Sequence, residues 1–379
     1  MKQLPIQQIT FHSFRALQNL TLANCGNINV IVGGNNAGKT SVLDAISIYC
    51  RPLDISNWRE VAWQREVKSA RTRLTEPFKW LFPQSADATD ESPKPIEISG
   101  FGSFPGRKIF AEYTLFESFG GSEESTEDAF MVQEDGEPEV GLDLRVLADY
   151  ALSISGNLDK SRVSQNSIEF RVIDNQRFTY STKIEQPCLD AGFISPVTHR
   201  TSQDTTYFLS QAIKNEGPNE NIRESVTEIL REIDHGVLKF EIVDTGQTTS
   251  TVFIKHKETG MTPISAFGDG MRRALLIASM IPALKDGVLL IDEIEATLHV
   301  SVLKSVLKAL GHAAARYNVQ IFATTHSLEA VDAIADAFTE IPGDLVAYRI
   351  AQEVSGKDPI RYSGEEVRRL RFERGLELR

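Results

Sequence analysis

The chain has 379 residues, 40 Lys and Arg against 52 Asp and Glu, and a formal net charge of −12. With 41% hydrophobic and 24% charged residues it reads as an ordinary globular protein, of two or three domains or one large α/β domain with an insertion. There is no apolar run of the roughly 18 residues a membrane helix needs, no signal-peptide pattern in MKQLPIQQITFHSF, and no C-x-x-C pairing among Cys25, Cys50 and Cys188, so the expected compartment is the reducing cytoplasm.

The first 50 residues read as strand, strand, strand, loop, helix. Residues 5–11 and 17–23 are short strand candidates, and 28–32 (INVIV) is an apolar run suited to a buried parallel strand. A loop and a helix with Val42, Leu43, Ile46 and Tyr49 at helical spacing follow. Residues 51–84 suit helices and interleave Arg51, Arg59, Arg65, Lys68, Arg71, Arg73 and Lys79 with Trp58, Trp63 and Trp80. Strand-like pieces at 96–99 and 108–115 then alternate with Gly, Ser and acidic tracts, and the stretch 123–139 reads as a solvated acidic loop. Residues 168–173 and 177–184 read as a hairpin, 190–195 as a strand, 218–233 as an amphipathic helix, and 237–243 and 251–256 as strands. From 262 the order is loop, helix (271–283), strand (288–291), helix (300–315), strand (319–324), helix (327–338), strand (344–350) and a basic helix (364–371). Such alternation predicts a parallel sheet with helices on both faces.

Four features carry chemistry. Gly33-Gly34-Asn35-Asn36-Ala37-Gly38-Lys39-Thr40-Ser41 has the G-x-x-x-x-G-K-T spacing of a phosphate-binding loop, between a predicted strand and a predicted helix. Backbone N–H groups must converge on phosphate oxygens there, which needs glycine, and the helix N-terminus favours an anion. Lys39 suits the β/γ-phosphates and the Thr40 hydroxyl suits Mg²⁺. Second, Val288-Leu289-Leu290-Ile291 ends in Asp292 and Glu293: a buried strand delivering one carboxylate for Mg²⁺ and one to act as general base on a water. Third, His326 follows the strand 319–324, one strand beyond the acid pair. Fourth, Gly268-Asp269-Gly270 opens an apolar helix, where it can form a second anion cradle or, with Asp269 as N-cap, an ordinary helix start.

In this order the motifs resemble ABC-type ATPases of the RecF/SMC-like branch, in particular the OLD-like group of prokaryotic anti-phage systems. FHSFRAL resembles that group's N-terminal strand and turn, IDEIEATLH its Walker B and D-loop, TTHS its switch, and SAFGDGMRR its signature loop. The resemblance implies an α/β fold: a P-loop ABC ATPase head with mixed sheet, antiparallel β-subdomain and inserted helical lobe. Residues 1–379 would be one such domain, with 1–50 and 262–350 as nucleotide-binding core, 51–261 as β-subdomain, acidic loop and helical lobe, and 351–379 as basic tail. It further implies ATP and Mg²⁺ as ligands, Asp292 and Thr40 on the metal, Glu293 as base, and His326 as γ-phosphate sensor. It places the 268–270 loop of a second copy over the nucleotide, giving an ATP-bound homodimer and slow hydrolysis. Gly268 stands where such loops usually carry serine, and no Q-loop glutamine can be placed.

Too little chain follows His326 for a Toprim nuclease, so the resemblance points to a stand-alone ATPase of two-gene defence modules (the PARIS, Septu and retron type) that controls a separate effector, a Toprim or HNH nuclease. The alternative is a RecF-like DNA-binding ATPase of repair or recombination, with the Arg–Trp stretch or the basic C-terminal helix against DNA.

Overall fold

The computed structural model describes residues 4–64, 75–84, 93–103, 106–118, 139–154, 157–173, 179–180, 188–218, 220–244, 250–337, 345–350 and 358–375. Most of the acidic stretch 123–139, the basic residues Arg65, Lys68, Arg71 and Arg73, and most of the strand expected at 177–184 lie outside them.

In chain order the elements are β1 (Gln8–Phe14), β2 (Leu17–Leu22), β3 (Ile28–Val32), α1 (Lys39–Cys50), α2 (Ile55–Trp63), α3 (Glu76–Lys79), β4 (Ile96–Phe101), β5 (Arg107–Ser118), β6 (Glu139–Ile154), β7 (Asn157–Ile173), β8 (Thr179–Tyr180) and β9 (Ala191–Ile194). Then come α4 (Ser202–Lys214), α5 (Ile222–Arg231), β10 (Val237–Asp244), β11 (Ser250–His256), β12 (Gly260–Pro263), α6 (Asp269–Ala283), β13 (Val288–Ile291), α7 (Val300–Tyr317), β14 (Gln320–Thr325), α8 (Leu328–Ala337), β15 (Leu345–Arg349), β16 (Ile360–Ser363) and α9 (Gly364–Arg368).

The strands form three sheets. A six-stranded sheet runs β16-β15-β3-β14-β13-β9, parallel except for β16. A seven-stranded antiparallel sheet runs β2-β1-β4-β5-β6-β7-β8, and a three-stranded one β10-β11-β12. This is the mixed α/β architecture expected, with one parallel-type sheet and separate antiparallel sheets.

Burial explains the composition of the central strands. All residues of β3, β13 and β14 are buried, and β3 and β13 read as near-continuous apolar runs rather than alternating ones. The buried Asn29 side chain is satisfied by the carbonyls of Gly26 and Ile321 and the Gly26 N–H. The two apolar clusters lie on opposite faces of the sheet. One face packs on α5, α6, α7 and α8, the other on α1 and the inner side of the seven-stranded sheet. Because α1 has a sheet on either side, ten of its twelve residues are buried, and it is apolar nearly all round.

The structure corrects several expectations. The long strands β6 and β7 were not readable in the Gly- and acid-rich 139–167 region, and α4 and β12 were missed. The C-terminal helix is α-helical only to Arg368 and continues as a π-turn over Arg369–Glu373. Asp269 is not the N-cap of α6: Gly268 holds that place, and Asp269 is the first helical residue. Among the described residues no helix is long and apolar enough to cross a membrane.

Candidate functional site

The parallel strands β3, β14, β13 and β9 are neighbours and run the same way, so the loops leaving their C-terminal ends meet at one edge. This is the edge at which open α/β sheets present ligand sites.

The loop after β3 runs from Gly33 into α1. Gly38 has φ 87°, a conformation a side chain disfavours, and caps the helix through its carbonyl, which accepts the Val42 N–H at 3.0 Å. Gly34, Asn35 and Asn36 are exposed while Ala37 and Ser41 are buried, so the loop turns a polar arch outward on a packed base. The Lys39 ammonium folds over the arch and donates to the carbonyls of Gly33 (3.0 Å) and Gly34 (2.8 Å). Burial holds its pKa below the usual lysine value, against the pull of Asp292, Glu293 and Glu295.

The loop after β13 meets this arch. The Thr40 hydroxyl lies 3.1 Å from both carboxylate oxygens of Asp292, across 252 positions of sequence. Thr324, on β14, donates its hydroxyl to Asp292 at 2.5 Å and accepts the Glu293 N–H at 2.9 Å. Glu293 takes the left-handed region (φ 50°), unusual for a non-glycine residue, and its carboxylate is 44% exposed at the sheet edge. His326 Nδ1 lies 3.8 Å from that carboxylate and 3.5 Å from Glu295, whose Oε1 also accepts the His326 N–H at 3.3 Å. The structure thus brings Gly33–Ser41, Asp292, Glu293 and His326 together.

The donor set suits Mg²⁺. A hydroxyl and one carboxylate meet beside an ammonium and a turn of backbone amides, leaving further positions for phosphate oxygens and water. Among the described residues no three His, Cys, Asp or Glu gather into a metal site of the all-protein kind.

Gly268, Asp269 and Gly270 start α6 on the far side of the loop that follows Glu293. A Cβ at Gly270 would stand 2.9 Å from the Thr297 carbonyl, so glycine is what lets the helix start close on that loop; a Cβ at Gly268 meets nothing within 4 Å. The Asp269 carboxylate is tied to Arg272 (3.2 Å), His199 (3.5 Å) and Arg200 (3.7 Å).

Three site residues escaped the sequence reading. Arg273 is fully buried, and its guanidinium donates to the carbonyls of Ser195 (2.9 Å), Asp292 (2.8 Å) and Glu293 (2.9 Å). Burial lowers its pKa to about 10, still cationic at neutral pH. Its signal was a charged residue on the apolar stripe of a helix, in line with Ile277 and Met280. Thr324 and Glu295 gave none, since their roles depend on strand order. The strand leaving beside Asp292 is β9, whose Ile194 carbonyl accepts the Asp292 N–H at 2.8 Å; it continues as Ser195-Pro196-Val197, with no glutamine there.

Within the interleaved Arg–Trp stretch, Trp58 is not available for stacking, whereas Trp80 is exposed and residues 65–74 lie outside the described residues. Trp58 is fully buried with its indole N–H on the Pro52 carbonyl (2.7 Å), and Arg51 pairs with Asp54 and Glu60. At the other end, Arg371 forms a two-pronged pair with Asp332 (2.6 and 2.9 Å).

Comparison with known proteins places the chain. It is 38% identical over 116 residues to an uncharacterized protein of Methanocaldococcus jannaschii, MJECL11, spanning 98% of that protein and 30% of this chain. The chain belongs to one family with MJECL11. Residues 200–332, about a third of the chain, match the family described as "AAA domain, putative AbiEii toxin, Type IV TA system". A Helicobacter pylori protein named ATP/GTP phosphatase is 29% identical over 134 residues, 34% of this chain and about a third (35%) of that protein's length. Among solved structures, the Smc head domain with an extended coiled coil from Pyrococcus furiosus, bound to the C-terminal domain of ScpA, aligns over 99% of this chain and 100% of its own at 14% identity, TM-score 0.49.

Proposed function

We propose that this protein binds ATP with Mg²⁺ and hydrolyses it, slowly, at the edge where the 33–41 loop meets Asp292 and Glu293. The observation that carries the reading is the Thr40–Asp292 contact at 3.1 Å: it joins a phosphate-loop hydroxyl to the first acid of a D-E pair. Loop amides and Lys39 would hold the triphosphate, and Thr40 with Asp292 would hold Mg²⁺, which offsets charge on the phosphate oxygens when bound. Glu293 is exposed enough to take a proton from an attacking water, and Thr324 and Arg273 fix its backbone so that the carboxylate stays on station. His326, beside the Glu293 carboxylate, is placed to respond to the γ-phosphate.

The same reading makes the site a switch. Two copies close around ATP, each covering its partner's nucleotide with Gly268, Asp269 and Gly270 at the start of α6, and hydrolysis releases the closure. The protein then scaffolds and restrains a separate nuclease effector in anti-phage defence. A RecF-like DNA clamp is the second reading, in which Trp58, buried in the core, takes no part in DNA contact. Light scattering of Glu293→Gln tests the switch: mass doubles with Mg-ATP and returns to the monomer with Mg-ADP. A mass that never changes with nucleotide removes it.

A further inference from the structure

β9 is the edge strand of the six-stranded sheet and, among the described residues, pairs only with β13. The carbonyls of Asp190 and Ile194 accept the N–H groups of Val288 and Asp292, both at 2.8 Å. In a parallel ladder this alternation turns the N–H and C=O of Ala191 and Phe193 out of the sheet. Among the described residues those four groups have no hydrogen-bond partner. Among the described residues no helix lies across this edge. Instead a cleft of about 420 Å³ opens along it, with α2 and the end of α1 on one wall and α4 and α6 on the other.

The cleft is acidic. Among the described lining residues Glu60, Asp190 and Asp204 stand against one cation, Arg51, which is already paired with Asp54 at 3.6 Å and Glu60 at 3.9 Å. The Tyr207 ring stands on the rim, 59% exposed. A floor of unpaired backbone groups asks for an extended chain, since a helix has no free N–H or C=O along its flank. An acidic wall asks for a cation and repels nucleic acid.

We propose that the Ala191–Ile194 edge is the docking strand for an extended, lysine- or arginine-rich segment of a partner protein, which adds to the sheet as a seventh strand between Glu60 and Asp204. Backbone pairing at Ala191 and Phe193 supplies affinity, and the carboxylates select positive side chains. The docked segment lies one strand from the acid pair, because Ile194 holds the Asp292 N–H and Ser195 holds Arg273. The inference does not rest on the nucleotide reading and is tested without ATP.

The probe is a fluorescent peptide of about eight residues alternating Lys and Val, beside one alternating Glu and Val, titrated by anisotropy against the full chain. The Lys-Val peptide binds saturably, loses affinity as salt rises, and binds about tenfold more weakly to Asp204→Lys and to Glu60→Lys, both solvent-facing changes checked for unaltered melting. Methylating alternate backbone nitrogens of the peptide abolishes binding. The proposal is overturned if the Glu-Val peptide binds as well, if neither charge reversal matters, if N-methylation is harmless, or if light scattering shows that two copies of this chain occupy the edge themselves.

Discussion

The buried Arg273 guanidinium grips the Glu293 carbonyl at 2.9 Å, so a side chain of α6 sets the backbone of the second acid. The same group holds Asp292 and Ser195, and no other cation can reach the three carbonyls with one planar fork. Arg273→Met should lower stability by about 3 kcal/mol, because three buried carbonyls lose their donor. Arg273→Lys should recover less than half of that. Urea unfolding measures both.

Thr40 and Asp292 form one unit. Thr40→Ala and Asp292→Asn should each weaken Mg²⁺-dependent ATP binding about tenfold, and the double variant should lose less than the sum, as contacting residues do. Calorimetric titration with Mg²⁺ and with EDTA separates the metal-dependent part. Equal losses in EDTA would place neither residue on the metal.

Lys39 supplies a pH signature. Burial holds its free-state pKa below the usual lysine value, and a bound anion would raise it. ATP binding should therefore take up protons at alkaline pH, with affinity falling as pH rises through the depressed value. Calorimetry in two buffers of different ionisation enthalpy reads this uptake. Lys39→Arg, which stays charged, should flatten the dependence.

Away from the site, Asp234 accepts the Gly236 N–H at 2.8 Å and lies 3.3 Å from the His256 ring, and these hold its carboxyl below the ordinary aspartate range, the Gly236 bond most. Since the folded pKa lies below the unfolded one, its stabilisation is present above the unfolded value and is lost as pH falls through the folded value. Asp234→Asn should be less stable at neutral pH by only a few tenths of a kcal/mol, because the carboxylate is part-exposed and screened, and indistinguishable in strong acid. Thermal melts across that range check it.

What was legible follows from where information sits in a chain. The phosphate loop and the D-E strand are contiguous, and β3 and β13 are buried on both faces, so motif and apolar run mark them directly. Thr324 and Arg273 serve Asp292 and Glu293 from other elements, and their contacts exist only once β14 lies between β3 and β13 and α6 packs on the sheet. β6 was obscured because its polar residues face solvent in a long hairpin, where Asp143 pairs with Arg171 across strands and breaks any apolar run. Trp58 beside Arg59 resembled a stacking surface for the opposite reason: on α2 successive residues point to different faces, one into the core and one into water.

The central claim is that the 33–41 loop and the acid pair form one ATP-hydrolysing site. Phosphate release from Mg-ATP by the wild-type protein and by Glu293→Gln measures it most directly. The wild type should release phosphate slowly and only with Mg²⁺, and Glu293→Gln at least about a hundredfold more slowly with ATP still bound. Equal rates for the two proteins would contradict it.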